Sequence, residues 1–279
     1  MQEILDIART AVSLAFLLYA SISDYKTREV SNSVWILFAP IGFALTFTEV
    51  YAFTPNPMVL DGMSFNPLFL YGISFGLTSA FAVLLFYAGG FGGADAKALM
   101  CLAIAVPFYP ENAFAPLSGE NSPISMILFP VSVFSNAVLF AAATAVYLFL
   151  RNMFWRLGSG NELFGKNYVN QSLGRKILVL ITGYKVSVDK LKEKWHMYPM
   201  EDIEQSANGT AKRKLLVIPR DEGRNETVER LAKAVEEGKI KRSIWATPGL
   251  PMLIFITIGL IISLFFGDVI WVFVRLLLH

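Results

Sequence analysis

Residues 87–100 read YAGGFGGADAKALM. No charged side chain occurs between residues 67 and 88 on one side of its glycines, and none between residues 98 and 109 after Lys97. Four glycines, one carboxylate and one amine therefore stand between two segments suited to hydrocarbon. A helix needs about 20 apolar residues to cross a bilayer, so the stretch reads as a turn at a membrane surface, where one span ends and the next begins.

The rest of the chain agrees. Its 279 residues are 54% hydrophobic and 16% charged, against about 25% charged in a typical soluble domain. The charge is also segregated: residues 151–245 hold 19 of the 24 Lys and Arg and 12 of the 22 Asp and Glu. Outside that segment, six apolar runs predict six spanning helices, at 4–22, 34–53, 68–88, 96–110, 124–150 and 252–275. Asp6 and Arg9 interrupt the first, which is convincing only from Ala11 onward. The fourth is short, as a tilted helix or one with a hydrated mouth would be. The first run lacks a basic leader and a small-residue cleavage site, so it reads as a retained span rather than a cleaved signal peptide. The expected layout is a polytopic α-helical membrane protein. Residues 1–150 carry helices 1–5, residues 151–245 a small α+β cytoplasmic domain, and residues 246–279 helix 6.

Basic loops face the cytoplasm. Loop 1–2 carries Lys26 and Arg28, loop 3–4 leads into Lys97, and the 151–245 insert is rich in both basic types, whereas 54–67 and 111–123 contain neither Lys nor Arg. The first three therefore lie inside, and both termini outside. Within the insert, KILVLI (176–181) and KLLVIP (214–219) read as strands, rich in β-branched and large apolar residues. NETVERLAKAVEEG (225–238) reads as an amphipathic helix, with Asn225 as N-cap and Gly238 at its end. EQSANGTAKRK (204–214) reads as an exposed loop. Basic and acidic residues interleave here, which argues against nucleic acid as a partner. The single cysteine, Cys101, excludes an intrachain disulfide and any CxxC metal pair, and it reads as a small buried hydrophobe. No metal or other cofactor is expected.

Two acids then stand out. By this topology Asp24 closes the first span and Asp95 opens the fourth, on the same side and at the same depth, while Asp6, Glu49, Asp61, Glu111, Glu120 and Asp268 fall toward the other face. An ionisable residue within a span is costly and marks function by default. Should the two carboxylates meet, they would share one proton, since like charges at short range do not both ionise. One could then act as general base on water and the other as general acid on a peptide nitrogen. The plainer alternatives are that Asp95 caps the helix it opens and that Asp24 pairs with Lys26 or Arg28. Lys97 either tunes Asp95, contacts a substrate, or snorkels to the interface. Ser132, Ser135 and Asn136 read as helix–helix hydrogen-bonding groups. Thr247–Pro251, TPGLP, reads as helix-start punctuation.

Gly92-Gly93-Ala94-Asp95 resembles the GxGD motif of intramembrane aspartyl proteases, a group that includes presenilin, signal peptide peptidase and the type IV prepilin peptidases. Ala94 stands where the second glycine of that motif lies. Asp24, followed by Lys26, Arg28, Val30 and Asn32, is similar to the first-aspartate motif of prepilin peptidases. Six spans with a soluble insert before the last resemble the archaeal branch, the preflagellin (prearchaellin) peptidases. That resemblance implies Asp24 and Asp95 as the catalytic pair, supported by Gly92, Gly93 and Ala94. The implied substrate is the N-terminal signal peptide of a preflagellin or prepilin-like protein, cut at the cytoplasmic face of the bilayer. The cysteine pairs and long cytoplasmic insert of the bacterial enzymes are absent, so their N-methyltransferase activity is not implied. Two rivals remain: a transporter or channel relaying protons or cations through Asp24 and Asp95, and a membrane scaffold whose insert recruits a partner.

Overall fold

Helix α1 spans Gln2–Thr27, so it starts two residues before the expected run at 4–22 and nine before Ala11. Its early charges are neutralised within the protein. Arg9 pairs with Asp6 on its own helix and, at 3.1 Å, with Glu49, and all three side chains are buried. Asp6 Oδ2 also accepts hydrogen bonds from the Asn112 backbone N–H (3.1 Å) and side chain (3.0 Å). Buried charges are tolerable when paired and hydrogen-bonded, so this end of α1 continues as helix where the charge pattern alone predicts a break.

The computed structural model describes residues 1–279 except 54–57, 61–62, 120, 161, 166–167, 169–170, 206–210, 217–222, 250 and 279. Asp61 and Glu120, Val217-Ile218-Pro219 of the expected second strand, and Leu250 of TPGLP lie outside the described residues. The described chain forms two units, 1–141 with 251–279, and 142–250.

In the first unit, α2 (Asn32–Thr48) follows α1 after a short loop and runs into a π-turn, Glu49–Phe53. Ser31 caps α2 by accepting the Ser33 N–H. A short antiparallel hairpin, β1 (Met58–Leu60) with β2 (Met63–Phe65), leads to α3 (Pro67–Tyr87), which starts with Pro67 behind the capping side chain of Asn66. Then come α4 (Gly93–Ala105), α5 (Pro123–Ile127) and the long α6 (Phe129–Ser159). The chain returns to this unit with α10 (Met252–Phe266) and α11 (Val269–Leu278); the intervening elements belong to the second unit.

Among the described residues, four helices are long and apolar enough to cross a membrane: α1, α2 with its π-turn, α3 and α6. A fifth span arises if α10 and α11, bent by 58° at their junction, count as one. The expected fourth span at 96–110 is instead the 13-residue α4, about 20 Å long, followed by buried irregular chain. Pro107 explains the stop, because the residue before a proline disfavours helical dihedrals, and Val106 sits at φ −138°, ψ 68°. The carbonyls at this end are satisfied by neighbouring side chains. Ile104 O accepts from Tyr71 (3.0 Å), Ala105 O from Thr46 (2.7 Å) and Pro107 O from Ser74 (3.1 Å). Irregular backbone at membrane depth is tolerated only where protein supplies such partners. Helix α4 packs against α1, α2, α3 and α10. Its contact with α2 is intimate: a Cβ at Gly42 would lie 2.6 Å from Ala105 Cβ.

The expected final span, 252–275, is broken at Gly267 (φ 78°) and Asp268. Asp268 Oδ1 accepts the Trp271 N–H at 3.2 Å, and its Oδ2 accepts the Ser122 and Ser132 hydroxyls, each at 3.2 Å. Asn136 donates to Ser263 Oγ (2.8 Å) and Gly267 O (2.9 Å). Ser132 and Asn136 thus serve as the helix–helix hydrogen-bonding groups expected of them.

The second unit contains α7 (Leu173–Thr182), β3 (Tyr184–Ser187), α8 (Val188–Glu193), β4 (Met197–Pro199), β5 (Glu201–Gln205), β6 (Ala211–Leu215), α9 (Arg224–Glu236) and β7 (Ser243–Pro248). Strand β7 lies between β3 and β4 in an antiparallel sheet, and β5 pairs with β6. The expected strand at 176–181 is instead part of α7, whose start is fixed by Ser172 accepting the Arg175 N–H. The expected loop at 204–214 is largely hairpin, with its tip outside the described residues. Helix α9 matches expectation except at its start, where Gly223 rather than Asn225 is the cap. Its Val228 and Leu231 pack with Val186, Leu191 and Ile244. A buried carboxylate, Glu201, ties the other half together: it accepts from the Tyr168 hydroxyl and the Trp245 N–H and lies 3.1 Å from Arg213 Nε. Burial, and then the charge of Glu201, push the Tyr168 phenol far above its ordinary pKa, so it stays a donor.

Candidate active site

Asp24 lies in the last turn of α1, which ends when Arg28 adopts a left-handed conformation (φ 57°) and donates its N–H to Asp24 O at 2.9 Å. The turn beyond is organised by local side chains. Ser23 Oγ donates to Glu29 O (2.8 Å), and Thr27 Oγ1 lies within bonding distance of both Ser23 O (2.9 Å) and Glu29 O (3.0 Å). Such Ser and Thr bonds to nearby backbone favour turns over continued helix. Asp24 is half-buried, and among the described residues no ion pair joins it to Lys26 or Arg28.

Asp95 is reached through the glycine stretch. Gly89 takes φ 75°, a region open to glycine at little cost, and the Gly90 and Phe91 N–H groups both return to Leu85 O (2.9 and 3.2 Å). Phe91, between the two glycine pairs, is buried edge-on against Phe134 with ring centroids 5.4 Å apart. The turn is therefore anchored by an aromatic side chain that sequence reasoning passed over, although a lone aromatic between glycine pairs was the available signal. Gly92 then caps α4. Its N–H donates to Asp95 Oδ2 at 2.9 Å, so Asp95 does cap the helix it opens, and that bond fixes the rotamer of the carboxylate while leaving Oδ1 for another partner. A Cβ at residue 92 would lie 3.1 Å from Oδ2. Gly93 is less constrained, with Phe86 Cε2 at an ordinary 3.8 Å from its notional Cβ. Ala94 is half-buried and packs against the bundle core.

The structure brings the two acids to one place. Helices α1 and α4 pack together, and the Asp24 and Asp95 carboxylates are near enough for the charge of one to act on the other. Lys97 Nζ, one turn or less from Asp95, donates to Asn32 Oδ1 at 2.6 Å. Asn32 begins α2 and belongs to the same short segment as Asp24, so this bond joins the two aspartate segments directly. Lys97 thus holds α4 to the start of α2. Among the described residues no group of three or more His, Cys, Asp and Glu is placed to hold a metal ion. What the site offers chemically is two carboxylates on adjoining helices, half-exposed, beside a turn of exposed backbone.

Comparison with known proteins identifies relatives over most of the chain. Residues 11–146 match the type IV leader peptidase family, and residues 175–269 match the archaeal peptidase A24 C-terminus, type II. A preflagellin peptidase of Methanococcus voltae is 27% identical over 260 residues, covering 92% of this chain and 94% of the relative. Those of Methanococcus maripaludis and Methanocaldococcus jannaschii are 23% and 24% identical, each over 90% of this chain and 92% and 91% of the relative. The first family match contains both aspartates and the helices that carry them, the second contains most of the 142–250 unit, and the chain belongs to the type IV leader peptidase family.

Proposed function

We propose that this chain is a membrane-embedded aspartic endopeptidase that removes the N-terminal leader of preflagellin or type IV prepilin-like proteins at the cytoplasmic face of the bilayer. The observation that carries the reading is the convergence of two segments 71 residues apart in sequence: Asp24 and Asp95 lie on packed helices within reach of each other's charge, and Lys97 is bonded to Asn32. In this reading α1, α2, α3, α4, α6 and the bent α10–α11 pair are six membrane segments, with α4 enclosed by its neighbours. Both termini are outside, and residues 151–245 form a cytoplasmic docking or gating domain.

The chemistry follows from a shared proton. The ionised member of the pair takes a proton from water as its oxygen attacks the scissile carbonyl carbon, and the protonated member gives its proton to the departing nitrogen. Each turnover returns one proton to the pair, so neither aspartate holds a permanent role. Gly92 and Gly93 leave room beside Asp95 and expose backbone to an extended peptide, and Ala94 packs the motif against the bundle.

The test is cleavage of a preflagellin substrate by the protein reconstituted in proteoliposomes. Asp24→Asn and Asp95→Asn are each expected to lower the rate by about 10³-fold or more, in the range general acid–base groups supply, with the variants still inserted and folded. Metal chelators are expected to leave the rate unchanged. Cleavage at a normal rate by either variant overturns the pair. Proton or cation flux through Asp24 and Asp95, without cleavage, favours a relay instead.

A further inference from the structure

Helix α7 has two apolar faces. One, carrying Val179 and Leu180, is buried within its own unit. The other is not: Leu173 is 77% exposed, Ile177 57% and Leu178 42%. Leu173 and Ile177 are four residues apart and share one stripe of the helix. Arg175 is exposed too, one turn from Leu178 and on the opposite side of the helix from the Leu173–Ile177 stripe. Large apolar residues gathered on one exposed face mark a binding surface, whereas scattered ones do not.

What covers the face is indicated by what anchors the helix. The C-terminal end of α7 is fastened to α6 by Asn152, a buried side chain that donates to Leu180 O (2.8 Å) and Gly183 O (2.7 Å). Helix α6 is long and apolar enough to span a membrane. At the level of Asn152 it still presents exposed apolar side chains, with Leu150 before and Phe154 after. Trp155 and Arg156 follow, the residue types that mark a membrane–water boundary. The C-terminal end of α7 is therefore held at the depth at which α6 leaves the hydrocarbon, and the helix carries an outward apolar stripe together with the basic side chains Arg175 and Lys176.

We propose that α7 lies in the bilayer interface, with Leu173, Ile177 and Leu178 inserted among acyl chains and Arg175 against anionic lipid headgroups, so that it moors the 142–250 unit to the membrane surface. An interfacial helix has this make-up: an apolar stripe, a polar face and flanking cations. The inference rests on α6 crossing the membrane but not on the reaction at Asp24 and Asp95.

The experiment places a nitroxide on the full-length protein at Ile177→Cys, and separately at Leu173→Cys, Tyr147→Cys on α6 and Lys233→Cys on α9. The protein is held in nanodiscs of phosphatidylcholine with phosphatidylglycerol. Collision rates with oxygen and with a water-soluble nickel chelate are then compared. Labels at 173 and 177 are expected to favour oxygen, as does that at 147, while the label at 233 favours nickel. Arg175→Gln, or omission of phosphatidylglycerol, should weaken insertion at 177 by about fivefold, the share of one basic residue near an anionic surface. Nickel access at 173 and 177 equal to that at 233 overturns the proposal. So does immobilisation closed to both reagents, which would mean that protein covers the face. A label at 147 that favours nickel would instead remove the membrane reading of α6 itself, and loss of cleavage does not enter the readout.

Discussion

A methyl group at residue 92 would sit 3.1 Å from Asp95 Oδ2, closer than side-chain carbons usually approach an oxygen. The Gly92 N–H bond to that same oxygen holds the carboxylate in place, so the displaced atom is the one that sets the geometry of the acid. Misplacing a catalytic group by about 1 Å can cost 10²-fold, and the shift needed here is a few tenths of that. Gly92→Ala is accordingly expected to lower kcat by about tenfold. Gly93→Ala, whose added methyl meets Phe86 at an ordinary distance, should change it by less than about threefold. Initial rates on a preflagellin substrate check both, and equal effects at the two positions would contradict this account of why residue 92 is glycine. The motif as read from sequence did not rank its glycines. Their difference depends on which one faces the carboxylate, and that depends on helix phase rather than on composition.

Among elements, what was legible in sequence is what the bilayer itself dictates. Helices α1, α2, α3 and α6 show long apolar runs because they present apolar side chains outward as well as inward. Helix α4 lies among four neighbours, so its ends are set by Pro107 and by donors from Thr46, Tyr71 and Ser74 rather than by hydrocarbon thickness. A run of apolar residues does not register that difference. The bend between α10 and α11 was announced only by Gly267-Asp268, and Asp268 read as an acid at the far face because its partners Ser122 and Ser132 are distant in sequence. For the same reason Asp6 and Arg9 read as an interruption, their compensation by Glu49 and Asn112 being invisible in the chain order. The close α2–α4 contact yields a measurable consequence. Gly42→Ala forces a methyl against Ala105, and overpacking of this kind costs about 1–3 kcal/mol. Thermal unfolding in detergent should show a midpoint several degrees lower, at about 2–4 °C per kcal/mol. Gly76→Ala, where an added Cβ meets nothing within 4 Å, should leave the midpoint unchanged or raise it. A wild-type midpoint for Gly42→Ala would mean that the two helices do not pack as tightly as described.

Across the whole molecule, charge is segregated. Of the 24 Lys and Arg, 19 fall in residues 151–245, and Lys26, Arg28 and Lys97 flank the two aspartates, while 54–67 and 111–123 contain none. In the proposed orientation, in which basic loops are retained in the cytoplasm, residues 151–245 and both aspartates lie on that side and Ser118 on the other. A leader peptidase in the proposed orientation would meet its substrate before translocation. Ser118 is exposed in the first unit and Lys233 in the second, and the native Cys101 is buried and does not compete for reagent. With a membrane-impermeant maleimide on intact cells, Ser118→Cys is expected to label and Lys233→Cys to label only after lysis. The reverse pattern would put Asp24 and Asp95 at the outer face and overturn the proposed orientation. In the proposed reading, charge distribution rather than the aspartates themselves decides from which side a substrate reaches the site.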